Sequence, residues 1–175
     1  MALRQIRVYG DDILTKKCRE VKEMTPRLRE LIDDMLETMY DADGVGLAAP
    51  QVGVLRKIVV IDVGEGPIVL VNPRITMQEG EQEGMEGCLS VPGKIGQVTR
   101  PEHVIAEGLD QDMNPVTVEG EGLLARALCH ELDHLDGVVY TTKVEGELYD
   151  AGAFDDEEED GEAGEDGENE DAAEK

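Results

Sequence analysis

Apolar residues recur at three- and four-residue spacing through Leu28, Leu31, Ile32, Met35, Leu36 and Met39. That is the period of an amphipathic helix with one face turned inward. Thr25 offers a capping hydroxyl and Pro26 occupies the first helical position, so the pattern predicts a helix over 25–41. A glycine-rich turn at Asp43-Gly44-Val45-Gly46 follows, and the period then shortens. Short β-like runs are predicted at 57–63, 68–71, 97–100, 104–109 and 116–118. Gly64, Pro67, Pro73, Pro92, Pro101 and Pro115 punctuate them. A second long helix is expected to start between 120 and 123 and to run through Leu135, with Gly137 placed to end it. This order predicts an α+β fold, its helices packed against a largely antiparallel sheet.

Beyond Phe154 the periodicity stops, and residues 155–175 carry 13 acids and one base with alanine as their only apolar side chain. Such a segment buries too little to offset its ordering entropy, so the expectation is one domain over 1–154 and a disordered acidic tail over 155–175. The chain carries a formal net charge of -25, and no basic run interrupts it. Stable nucleic-acid binding is therefore not expected. Three cysteines, Cys18, Cys88 and Cys129, are too few and too odd in number for a disulfide framework. With no apolar stretch of membrane-spanning length and no signal-like start, the expected setting is the cytoplasm, away from membranes.

His130-Glu131-Leu132-Asp133-His134 has the form H-E-x-x-H and falls inside the second helix. Two histidines one turn apart on one face can reach the same ion, and Glu131 sits beside them to take a proton from an activated water. Leu123 and Ala127 extend that face by four-residue steps, which argues against a merely solvated surface. A catalytic site of this type needs a third protein ligand. Cys88, in the stretch Glu86-Gly87-Cys88-Leu89-Ser90, is the better candidate, and His103 reads as an ordinary strand residue. The loop from Gly44 to Gln51 permits close backbone approach, but it lacks the Lys-Ser/Thr ending of a phosphate-binding loop. Gln51, a side-chain amide behind that loop, is a suitable donor to a developing oxyanion. An H-E-x-x-H peptidase remains the main alternative enzyme on the histidine motif alone.

Taken together, GVGLAAPQ at 44–51, EGCLS at 86–90 and HELDHLDG at 130–137 resemble the three signature motifs of peptide deformylases, in the same order. The resemblance runs from about Ile6 to Tyr140. It implies hydrolysis of the formyl group from the N-terminal formylmethionine of nascent peptides, with release of formate. It also implies Cys88, His130 and His134 as metal ligands, Glu131 as base and then acid, and Gln51 with the Leu89 backbone N–H at the oxyanion. Val45, Gly46 and Gly87 would pair with the peptide, and Leu123 and Ala127 would meet the substrate, whose methionine enters an apolar pocket. Fe(II) is the implied metal, with zinc, nickel or cobalt able to substitute. A transient encounter with the ribosome is implied by the substrate. Three departures stand out: Cys129 where the family usually has Gln, Lys94 near where many members carry an Arg, and the acidic tail in place of a C-terminal helix.

Overall fold

The structure, a computed structural model, describes residues 2–153. Helix α1 spans Pro26–Asp41, with the Thr25 hydroxyl accepting from the Leu28 N–H at 3.2 Å as the sequence predicted. Strands β1 (Gly46–Ala48) and β2 (Ile58–Ile61) follow, then β3 (Ile68–Glu79), β4 (Gln82–Cys88), β5 (Val91–Arg100), β6 (His103–Leu109) and β7 (Pro115–Glu121). Helix α2 spans Leu123–Leu135, and a short strand β8 (Tyr149–Asp150) comes last among the described residues. The strands form two antiparallel sheets, one ordered β1-β2-β3-β6-β7 and the other β4-β5-β8. No helix among the described residues is long and apolar enough to cross a membrane. The acidic segment 155–175, expected to be disordered, lies outside the described residues.

Strand β2 of the five-stranded sheet is covered on both faces, which explains why Ile58-Val59-Val60-Ile61 is apolar without alternation. Ile58 and Val60 pack with Leu31, Ile32, Met35 and Met39 of α1. Val59 and Ile61 point the other way, into a core with Ala125, Leu128 and Leu135 of α2. Full burial of each such side chain contributes about 1.5–3 kcal/mol, and the two cores together fix the register of β2. A third cluster, Leu14, Val91, Val98, Val139 and Tyr140, ties the smaller sheet to the segments flanking it.

Several expectations are corrected. The glycine-rich turn yields strand β1 from Gly46 onward, with only Asp43 at a left-handed φ of 54°. Strand β3 continues past Pro73, because a register shift between Val71 and Arg74 takes the proline out of the ladder. Strand β5 likewise begins before the expected 97, at Val91, and Pro92 lies in the gap between the Cys88–Val91 and Gly87–Ile95 pairs. Strand β4, Gln82–Cys88, is not among the predicted runs, since its Glu and Gly content has low β preference.

Gly137 follows the α2 cap residue Asp136 at φ 75°, as its position suggested. A Cβ there would collide with the Thr15 carbonyl, and the Cys18 N–H donates to the Leu135 carbonyl at 2.9 Å. The N-terminal segment thus clasps the end of α2.

Candidate metal centre and substrate cleft

Three elements converge where α2 passes the ends of β1 and β4. Helix α2 carries His130, Glu131 and His134, β4 ends on Cys88, and the short 3-10 helix Ala49–Val52 after β1 carries Gln51. One ligand atom from each of Cys88, His130 and His134 lies within 4.8 Å of the others. Cys88 Sγ is 3.4 Å from His134 Nε2. His130 turns its Nδ1 to Glu86, which leaves Nε2 for the centre. A thiolate and two imidazoles at this spacing suit a transition metal ion, so the donor set fits the expected group.

The surroundings set the charge of each group. Burial and the neighbouring His130 push the His134 imidazole down to about 3, so its lone pair is free near neutral pH. Burial would lower His130 too, but Cys88 and Glu86 more than offset it and hold that ring up at about 10. Burial raises Glu131 to about 7 against the pull of His130, which poises it to exchange a proton at neutral pH. Its Oε1 is 3.9 Å from His130 Nε2, and its Oε2 is buried without a hydrogen-bond partner among the described residues. Gly46 is what lets Glu131 sit there, since a Cβ on Gly46 would stand 2.5 Å from Glu131 Oε1.

Gln51 is fully buried. Its Oε1 accepts from the Ala48 N–H at 2.9 Å, and its Nε2 donates to Ser90 Oγ at 3.0 Å and to Cys88 Sγ at 3.5 Å. The carboxamide is thereby oriented with its donor end toward the thiol. A cavity of about 370 Å³ opens over these groups, lined by Val45, Gly46, Gly87, Leu89, Leu123 and Ala127 among others. Every residue singled out from the sequence for substrate contact therefore lies on one cleft.

Other residues have roles here that the sequence alone did not assign. Glu86 is the hub behind the centre: Arg100 grips it through Nε at 3.1 Å and Nη2 at 2.6 Å, and Arg126 donates to Oε2 at 2.9 Å. Burial raises the Glu86 carboxyl, yet His130 and Arg100 overcome this and hold it at about 2. It is thus an anion that fixes the tautomer and angle of His130. Arg126 lies four residues before His130, so helical spacing alone could have flagged it. Arg100 carried no such sign. Lys94 is tied to Asp150 in a salt bridge at the cleft's rim. Cys129 is buried in the core on the α2 side, away from the cleft, and His103 bonds Glu119 on β7 as an ordinary strand residue.

Comparison with known proteins gives a consistent result. The sequence profile described as Polypeptide deformylase matches residues 3–148. A peptide deformylase of Agathobacter rectalis is 68% identical over 150 residues, covering 86% of this chain and 95% of that protein. One from Lachnoclostridium phytofermentans is 59% identical over 162 residues, covering 91% and 99%. Among solved structures, a peptide deformylase from Legionella pneumophila superposes with a TM-score of 0.80 at 44% identity, covering 82% of this chain and 86% of that one. One from Synechococcus elongatus in complex with actinonin gives 0.78 at 43%, covering 81% and 78%.

Proposed function

The chain belongs to the polypeptide deformylase family, a family of metal-dependent hydrolases, and on that premise we propose how its residues divide the work. The substrate is the formylated N-terminus of a nascent peptide, met in the cytoplasm by residues 1–154. Cys88, His130 and His134 hold one metal ion; the ion is Fe(II), the metal usual in the family, and the mixed thiolate and imidazole set equally accommodates zinc, nickel or cobalt. When bound, the ion supplies Lewis acidity that makes water nucleophilic near neutral pH.

Glu131, whose Oε1 lies 3.9 Å from His130 Nε2, receives the proton of the attacking water on its carboxylate and delivers it to the leaving amine. Its carboxyl at about 7 suits both transfers. Gln51 Nε2 exchanges its long contact to Cys88 Sγ for the tetrahedral oxyanion, and the Leu89 backbone N–H is the second donor. Val45, Gly46 and Gly87 align the peptide, while Leu123 and Ala127 contribute to the apolar wall that meets the substrate. The clustering of Cys88, His130 and His134 beside a buried, partner-free carboxylate oxygen carries this reading.

The test is formate release from formyl-Met-Ala, with and without a chelator. Activity that survives full metal removal overturns the assignment. Cleavage of an internal bond in an unformylated peptide would instead favour a peptidase.

A further inference from the structure

Among the described residues, every Lys and Arg that makes no ion pair lies between Lys16 and Lys57. The linear sequence hides this, because acids are interspersed throughout that stretch. Folding gathers Arg19, Lys22, Arg27 and Arg56 around one cleft of about 850 Å³, away from the substrate cavity, with Glu20 and Glu23 as its only acids.

The floor of this cleft is rigid. Arg19 and Arg56 are backbone bridge partners, with the Arg19 N–H donating to the Leu55 carbonyl at 3.0 Å and the Lys57 N–H to the Arg19 carbonyl at 2.9 Å. Asn72 clamps Val21 from both sides, accepting from its N–H and donating to its carbonyl, each at 2.8 Å. The capped N-terminus of α1 adds its positive dipole end through Thr25. Two like charges held opposite each other destabilise a fold unless an anion lies between them.

We propose that this cleft docks the phosphodiester backbone of RNA. Resting on the nascent-peptide reading above, the contact would hold the enzyme briefly beside the ribosome. The repulsion expected from a net charge of -25 is screened beyond about 8 Å at physiological salt, so the contact is decided locally, where each phosphate neutralised by these four cations releases condensed counterions. Three of the four free cations are arginines, whose planar forks match phosphate oxygens.

The full chain is titrated into a labelled RNA hairpin across a salt series starting at about 50 mM. Saturable binding is expected, with a log–log salt slope of about -3 to -4 from four neutralised phosphates. Arg19→Glu with Arg56→Glu should weaken binding at least about tenfold and flatten the slope by about two, whereas Arg74→Glu on a distant strand leaves the slope in place. Turnover of formyl-Met-Ala should be unchanged in both variants. If the Glu pair lowers Tm, Arg19→Gln with Arg56→Gln must give the same flattening. No saturable binding at low salt, or equal loss with Arg74→Glu, overturns the proposal. So does RNA binding that emerges only after residues 155–175 are removed, which would assign the cleft to the chain's own acidic segment. RNA binding without formate release would sink the deformylase reading and leave the cleft standing.

Discussion

Replacing Gly46 with alanine tests whether the position of Glu131 governs the chemistry. The backbone of Gly46 is not at positive φ, so alanine is conformationally acceptable there. The conflict is purely one of space: the new methyl would stand 2.5 Å from Glu131 Oε1 and 2.8 Å from its Cδ and Cγ. Ordinary carbon contacts begin near 3.5 Å, so about 1 Å of movement is required. Strand β1 cannot readily supply it, because Gly46, the first residue of this edge strand, is buried and paired with Ile61. Glu131 must move instead. Overpacking of this kind costs about 1–3 kcal/mol of stability. A displacement of about 1 Å in a group that transfers protons costs about 10²-fold in turnover. The expected outcome is a kcat for formate release lower by about two orders of magnitude, with metal content unchanged. In a Glu131→Ala background the same replacement should cost no further kcat, since its target is gone. Wild-type kcat in Gly46→Ala, or full additivity with Glu131→Ala, refutes the reasoning.

Glu131→Gln should keep its metal and lose about 10² to 10⁴ in kcat, read by elemental analysis beside single-turnover kinetics. Cys88→Ala should lose metal and activity together, whereas Cys18→Ala, a buried core change, should retain both; normal occupancy in Cys88→Ala would contradict the ligand assignment. Gly137→Ala combines a left-handed φ of 75° with a clash against the Thr15 carbonyl, so urea denaturation should show a loss of about 2–4 kcal/mol. Burial raises the Asp34 carboxyl, but the Ala2 N–H and Arg4 overcome this and hold it below its usual value. A depressed folded pKa stabilises above the unfolded value and is lost as pH falls through the folded one, so wild type should exceed Asp34→Asn in stability at pH 7. The difference should begin to close as pH falls below about 4 and vanish only below the depressed folded value, and a difference that stays constant through that range would break the linkage.

Both long helices were legible because Leu28 to Met39 and Leu123 to Leu135 repeat at a period that only a helix satisfies. The strands were legible where one residue type dominates, as in β2, and illegible where tertiary context overrides local preference. Strand β3 runs through a proline that the sequence marks as an end, and β4 is built from Glu and Gly. The site followed the same division. Cys88, Gln51 and the α2 residues stand in compact motifs, so proximity in sequence announced them. Arg100 reaches Glu86 across a strand pairing, and Arg19 meets Arg56 across a bridge of distant segments. Neither pairing leaves a periodic trace.

The clasp between the N-terminal segment and the end of α2 also bears on the order of assembly. Ribosomes make a chain from its N-terminal side onward, so Thr15 and Cys18 are synthesised long before the Leu135 and Gly137 that they hold. The same is true of the site, where Gln51 and Cys88 precede both histidines. Contacts spanning so much of the sequence form late and slowly. Until α2 has emerged and seated, Cys88 has no imidazole beside it and the α2-side core of the main sheet is uncovered. On the proposed ligand set, a growing chain of this protein therefore cannot hold an ion with all three residues until nearly all of the described fold has been made.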